Sequence, residues 1–475
     1  MDEFKIILNA MIETLPKETS SFGNPIELKE LYIPPAHKKA LRLYSNLIVG
    51  DRGAGKSTWT AALADPKMRK VIENNMPELE NVSVTVGFSE KSNQEEHPDK
   101  FTINNLLEEN INPHDMWKAV VMRWLSLEIK NTIPINKWQK TIFWVRNHPE
   151  DCSKILTMAN NLFKEKNSNG LILFDALDVS SDTWEIMDNI VRELLRLVLE
   201  LKAYSNIHAK VFLREDQFSR TITNFPDASK LLPNKTELTW EKYDLHGLLW
   251  QQLCNAKGEG GNTLRNYCKE VAGAEPKFKN NYWIIPDIIK NNEEIQKKLF
   301  EKLAGPWMGK DKKRGVPYIW TVGHLADGND HTSPRSFLLA IKTAAEDSLN
   351  KAGNYPLHYE SIKKGVQIAS KNRVAEITED YPWINNLCNL LNGKNVPISF
   401  LDIEKEWTKE YPGGPITITT EKLPPQDSNR GWLGIKKELV RLGIFEEMRD
   451  ERINMPDLFR IGFGLGRKGG VTPIV

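Results

Sequence analysis

The chain has 475 residues, more than one ordinary core organises, so about two to four domains are expected. Lys and Arg total 64 against 63 Asp and Glu, so any nucleic-acid contact must come from a local patch rather than from overall charge. Cys152, Cys254, Cys268 and Cys388 lie far apart without C-x-x-C spacing, which disfavours zinc sites and disulfide scaffolds and suits a reducing cytoplasm.

In chain order, the pattern predicts a helix over 4–14, with 1–40 read as this helix and a Pro- and Ser-containing lead-in. Met1-Asp2-Glu3 opens with acids, unlike a signal peptide. No stretch approaches the roughly 20 apolar residues that cross a bilayer, so a cytoplasmic protein without a membrane partner is expected. Residues 41–49 end apolar and read as a strand. Residues 50–57, Gly-Asp-Arg-Gly-Ala-Gly-Lys-Ser, complete a G-x-x-x-x-G-K-[ST] loop, and a helix is predicted over 58–63. Strand, loop and helix are the context this motif needs.

Further strands are predicted at 82–86, 171–174, 209–213 and 236–240. Helices are predicted at 113–129, 153–164 and 182–201, and 89–100 reads as a polar loop. Alternating strands and helices give an α/β fold with a P-loop NTPase parallel sheet, placed at 41–243. Strand signals fade after 243. Helices at 243–253, 293–303 and 335–349 suggest a helical lid over 244–354, with a Gly-rich stretch at 257–261 and a basic loop at 310–314. In 355–475, helices at 398–409 and 430–442 precede 444–448, a charged turn at 449–452 and a strand at 453–455. That is the pattern of a winged-helix domain, and an unrelated helical domain with a hairpin has the same periodicity.

Each motif has its chemistry. Gly50, Gly53 and Gly55 let the backbone curl so that N–H groups of 50–58 (Asp51, Arg52, Ala54 and Thr58 included) face phosphate oxygens. The helix that follows adds its positive end. Lys56 reaches the outer phosphates, and Ser57 offers a hydroxyl to Mg²⁺. Asp175 ends an apolar run, so a buried strand delivers it to the tip where ligands bind, beside Ser57 in a shared Mg²⁺ shell. An N-cap role fits Asp175 as well. Asp178 either orients the attacking water or caps a surface helix. Arg214 ends the next strand, where a guanidinium reads a γ-phosphate or simply pairs with Glu215 or Asp216. Ser333-Pro334-Arg335 opens a helix, either as ordinary capping or as a lid contact that couples nucleotide state to domain angle. Asn234-Lys235-Thr236-Glu237 is read as a loop rather than a guanine-reading motif.

Together the P-loop, Asp175-Ala176-Leu177-Asp178, Arg214 and Ser333-Pro334-Arg335-Ser336-Phe337 resemble the STAND-type branch of AAA+-related ATPases, including NACHT- and KAP-like bacterial proteins. The resemblance covers about 41–345 and, more loosely, 395–475. It implies that Arg214 senses the terminal phosphate, that Pro334 packs near the base, and that a winged helix follows the lid. Two departures stand out: no Glu follows Asp175, which bears on fast hydrolysis, and no sensor-repeat array or attached effector is recognisable. Bacterial members of that group often serve in anti-phage defence, sometimes with the effector on a separate chain.

Lys436, Lys437 and Arg441 on the last predicted helix, with Arg449 and Arg452 in the turn and Arg467 and Lys468 beyond, are candidate phosphate contacts. Neighbouring Glu438, Glu446, Glu447, Asp450 and Glu451 dilute them, and winged helices also bind proteins. The reading is therefore an ATP- and Mg²⁺-binding slow ATPase. It is a molecular switch whose nucleotide state controls homo-oligomer assembly or an effector partner. The alternative is an ATP-regulated DNA-binding regulator or loader.

Overall fold

A computed structural model describes residues 2–16, 26–74, 76–218 and 221–473. Residues 17–25 of the expected lead-in lie outside the described residues. The chain divides into two compact units.

One unit comprises the described residues of 20–26 and 33–239. Its centre is a five-stranded parallel sheet: β1 (Leu47–Gly50), β2 (Val82–Phe88), β3 (Asn169–Phe174), β4 (Ile207–Arg214) and β5 (Lys235–Glu237), in the order β2-β3-β4-β1-β5. Every residue of β1 and β4 is buried, as expected where helices cover both faces of a parallel sheet. Register places Gly50 opposite Arg214 and Phe174 opposite Val211, so β1, β4 and β3 end near one another. The expected α/β fold is therefore present.

Trp117, on the helix Pro113–Glu128, anchors the core. It meets Phe88 and Phe174 edge-on and donates its indole N–H to the Ile190 carbonyl at 3.0 Å, on the helix Trp184–Leu201. A buried Trp gains most when its one donor is also satisfied. Gly87 permits this packing, because a Cβ there would sit 2.4 Å from the Phe174 ring.

The first strand is shorter than the 41–49 expected. Lys210, fully buried within β4, donates to the carbonyls of Ala40, Arg42 and Ser45 at 2.7, 2.9 and 2.7 Å. Those carbonyls curl onto an ammonium instead of joining a ladder, so pairing starts only at Leu47. The strand expected at 236–240 is present as β5 but starts one residue earlier and ends at Glu237, so the residues 234–237 read as a loop belong largely to it. The helices Pro66–Glu73, Lys100–Glu108 and Trp138–Asn147 were not anticipated.

The second unit comprises the described residues of 1–19, 27–32 and 240–475. Here the helices Lys242–Leu253, Glu293–Ala304 and Pro334–Ser348 occupy the expected places. The Gly-rich stretch at 257–261, to which no element was assigned, opens a helix, Gly258–Ala272. Its glycine serves packing: a Cβ at Gly260 would lie 2.6 Å from the Ile6 carbonyl of the helix Asp2–Thr14. Buried Lys342 donates to the carbonyls of Leu15 and Pro16, just past the end of that same helix, a site where a cation also meets the helix dipole favourably.

A short hairpin, β6 (Lys277–Lys279) and β7 (Tyr282–Ile284), interrupts the helices where no strand was expected. The helix Tyr359–Asp380 was likewise not foreseen. Toward the end, helices Phe400–Glu410 and Gly431–Arg441 precede β8 (Glu446–Glu447) and β9 (Ile453–Asn454), which pair antiparallel. Ile398 bridges Ile453 on the other side. No helix among the described residues is long and apolar enough to cross a membrane.

Candidate functional site

The loop leaving β1 turns through two residues in the left-handed region, Gly53 at φ 83° and Gly55 at φ 102°. Only glycine adopts these angles without strain. The helix Lys56–Ala64 starts at the next residue, so its unpaired N–H groups open onto the loop's concavity. The Lys56 Nζ donates to the carbonyls of Gly50 and Asp51, both at 2.8 Å. Its ammonium thus folds back over the loop and needs no arm beyond it.

Asp175 follows β3 directly and is buried. Its backbone N–H donates to the Phe88 carbonyl at 2.9 Å, and its carboxylate lies beside the Ser57 hydroxyl and the Ala176 N–H. Burial pushes the Asp175 carboxyl up, while these two neighbouring donors and nearby Lys56 pull it back. Burial pushes the Lys56 ammonium down, Arg214 adds to this, and Asp178, Asp175 and Asp51 oppose it. Two cations and three carboxylates therefore share one small volume.

Arg214 ends β4 and is 7 % exposed. Its Nε and Nη2 donate to the two oxygens of Asp216 at 3.1 Å each, and its Nη1 reaches Asp178 at 3.4 Å. The pairing with Asp216 is the fork-to-carboxylate geometry that fixes a guanidinium plane. Asp216 was legible only as one of two acids beside Arg214. The structure selects it and also joins Asp178 to the same guanidinium.

Ala176 carries a positive φ of 54°, a conformation costing an L-residue roughly 1–2 kcal/mol. It sits between Asp175 and Asp178 and turns the chain so that both carboxylates approach Lys56 and Asp178 also reaches Arg214. Ala176→Gly is expected to raise the unfolding free energy by roughly 0.5–1 kcal/mol, because relief of this strain outweighs the added freedom of the unfolded glycine. Urea unfolding checks it.

A second feature fixes the loop's helix. Trp59 donates its indole N–H to His37 Nδ1 at 3.0 Å, so Nε2 carries the ring proton and donates to the Thr239 carbonyl at 3.0 Å. His37 is fully buried, and burial lowers its pKa to about 4. No local sequence signal marks this residue, since its partners lie 22 and 202 positions away. The folded pKa lies below the ordinary histidine value of 6.5. The unfolded chain therefore binds the proton first, and stability is lost as pH falls from 6.5 toward 4. By pH 5 this linkage costs about 2 kcal/mol. His37→Gln keeps one acceptor and one donor without titrating, so its unfolding free energy should vary less between pH 7.5 and pH 5 by about that amount.

Thr58 lies on the first turn of the loop's helix, and Asp51, Arg52 and Ala54 lie on the loop itself. Pro334 and Arg335 open the helix Pro334–Ser348 in the other unit, where Arg335 pairs with Glu376 at 3.1 Å. The C-terminal basic residues are engaged with acids: Lys436 with Glu447 at 2.6 Å, Arg441 with Asp427 and Glu438 at 3.8 and 3.7 Å, and Arg452 with Asp450 at 2.7 Å. Lys437 is exposed on the same helix as Lys436.

No family model matches the chain, and no curated protein matches it. Among solved structures it is similar to the ORC2 protein of Aeropyrum pernix in its ADPNP–ADP complexes, at 13 % identity over 90 % of this chain and 92 % of that one, with a TM-score of 0.41. The Aeropyrum pernix ORC1 protein in complex with DNA matches at 12 % identity, 87 % and 83 % coverage and a TM-score of 0.34. The ADP form of the same ORC2 protein gives 14 %, 90 %, 93 % and 0.31. Similarity of this degree assigns no residue a role.

Proposed function

We propose that the chain binds ATP with Mg²⁺ in the pocket of residues 50–58 and works as a slow ATPase and molecular switch. The observation that carries this reading is a Lys56 ammonium held on the carbonyls of the loop, with the Asp175 carboxylate and the Ser57 hydroxyl side by side next to it. A hydroxyl and a carboxylate are hard oxygen donors of the kind Mg²⁺ takes together with substrate phosphates, so the residues fit the ion. When bound, the ion neutralises charge between the outer phosphates. Lys56 and the loop N–H groups hold the same phosphates, and Asp178 and Arg214 stand ready for the attacking water and the terminal phosphate. Ala176, in place of a glutamate after Asp175, supports slow turnover.

On this reading Arg214 exchanges part of its pairing with Asp178 and Asp216 for the γ-phosphate, and that exchange is the switching event. Pro334 and Arg335 are the proposed lid residues, and 41–243, 244–354 and 355–475 the proposed functional divisions. A bacterial anti-phage setting, with a separately encoded effector or a homo-oligomer as partner, rests on the STAND-type resemblance alone. The DNA-binding alternative draws less support, because Lys436, Arg441 and Arg452 already face carboxylates.

Calorimetric titration of the purified chain with ATP tests the reading. Binding in the micromolar range that tightens at least about tenfold with Mg²⁺ is expected, a gain of about 1.4 kcal/mol. No heat up to about 1 mM nucleotide, with or without the metal, would overturn it.

A further inference from the structure

The segment between β2 and β3 carries a second site, away from the phosphate loop. The helices Lys100–Glu108, Pro113–Glu128 and Trp138–Asn147 enclose a cavity of about 1090 Å³, lined by Arg123, Trp138, Leu106, Leu127 and Ile135 among others. Arg123 is 5 % exposed and its guanidinium lies flat on the Trp138 ring, 3.4 Å from the centroid. Its Nε donates to the Thr141 hydroxyl at 2.9 Å, and no carboxylate pairs with it among the described residues. Burial lowers its pKa to about 10, which leaves it a cation at neutral pH.

Two donors at this wall find no acceptor: the Arg123 Nη2 and the Trp138 Nε1 are both buried and unpartnered. An unmet buried donor is costly, more so on a charged group. Both side chains line the cavity while these donor atoms are closed off from it, and a small rotation of the stacked pair would present both to a single carboxylate, whose two oxygens would accept from them.

The remainder of the lining says what that carboxylate belongs to. Leu106, Leu127 and Ile135 are apolar, and Leu127 and Ile135 are 65 % and 49 % exposed. Glu95, Glu108 and Glu109 line the same cavity and are exposed, as is Lys137. Three glutamates against Arg123 and Lys137 leave the lining net negative, which disfavours a polyanion such as a nucleotide or nucleic acid and favours a positive group a short distance from the carboxylate. The volume exceeds that of a lone amino acid and reaches the upper part of the roughly 300–1,000 Å³ range of ligand pockets.

We propose that this cavity receives the C-terminal segment of a partner polypeptide. Its terminal carboxylate meets Arg123 and Trp138, an apolar last residue packs on Leu106, Leu127 and Ile135, and a basic residue upstream faces the glutamates. C-terminal carboxylate capture is an established mode of peptide recognition, and here a desolvated Arg–Trp pair takes the place of a backbone nest. The site is independent of the phosphate loop, so its failure leaves the nucleotide reading standing.

The test uses the full chain and a set of synthetic hexapeptides with free C-termini. Each has lysine, or glutamate in a matched set, fourth from the end and one pairing of Val, Leu, Ile or Phe at the last two positions, and the lysine set should bind more tightly. At least one should bind with a Kd on the order of micromolar, and its C-terminal amide should bind at least about tenfold more weakly, the loss of one charge-assisted contact. Trp138→Phe keeps the stacking but removes the N–H and should weaken the same peptide several-fold. Arg123→Gln should abolish binding, and should it fail to fold, Trp138→Phe decides. Glu108→Lys should reverse the preference for the upstream lysine. No peptide binding below about 1 mM, or equal affinity of acid and amide, overturns the proposal. Binding of N-acetyl-leucine as tight as that of the best hexapeptide overturns the peptide source.

Discussion

Lys56→Ala is expected to weaken ATP binding by about 100-fold or more, the loss that follows when one partner of a desolvated charge contact is removed. In the structure the Lys56 ammonium is satisfied by the carbonyls of Gly50 and Asp51. An incoming phosphate takes over a cation already in place, and alanine leaves nothing to meet it. Asp175→Asn is expected to differ in kind. The amide keeps an acceptor for the Ser57 hydroxyl but loses the charge, so nucleotide still binds while Mg²⁺ no longer tightens it and phosphate release falls to background. Burial raises the Asp175 pKa, so this carboxylate is held at a cost, and the same substitution should increase thermal stability. Function and stability moving in opposite directions is the mark of a site residue rather than a structural one. Calorimetry, phosphate release and thermal unfolding of both variants check this, and undiminished turnover in both would exclude the proposed site.

The centre of this site was written in consecutive residues. The spacing of Gly50, Gly53, Gly55, Lys56 and Ser57 is local, and so is the apolar run ending at Asp175, so both could be placed on a strand tip before any contact was known. What holds them was not local. Lys210 reads as an anomaly inside a buried strand until the three carbonyls from 40–45 are seen around it. His37 needs Trp59 and Thr239 before it has a role at all. The helix Tyr359–Asp380 escaped for a different reason: it buries Ser361, Ser370, Arg373, Glu376 and Asp380 together with Ile362, Val366 and Ile377, so its apolar stripe is broken by buried polar groups that find partners elsewhere. Ser370, for example, donates to the Leu458 carbonyl at 2.7 Å and accepts from the Gly462 N–H at 2.9 Å. The opening of Gly258–Ala272 gives no helix signal because glycine is a poor helix former, and the close approach of the helix Asp2–Thr14 that demands it is again non-local.

Arg460→Ala is expected to be the most destabilising single change in the helical unit, by about 3–5 kcal/mol. Arg460 is fully buried on the short helix Asp457–Arg460. Its Nε donates to Asp457 at 2.8 Å, its Nη1 to the Leu465 carbonyl and its Nη2 to the Val471 carbonyl, each at 2.8 Å. One guanidinium thus ties the helix to two points of the chain that follows it. Truncation strands a buried carboxylate and two carbonyls together, and each unmet group carries its own desolvation cost. Among the described residues, the Asp457 carboxylate then has as cationic neighbours only the more distant His324 at 3.6 Å and Arg467 at 3.9 Å. The double variant Arg460→Met with Asp457→Asn should therefore lose less than the sum of the two single changes, because the second substitution removes the charge that the first leaves unpaired. Urea unfolding of the four proteins measures this coupling. A loss under about 1 kcal/mol for Arg460→Ala, or strict additivity in the cycle, would mean that water reaches these groups and that the guanidinium does not tie the segment down.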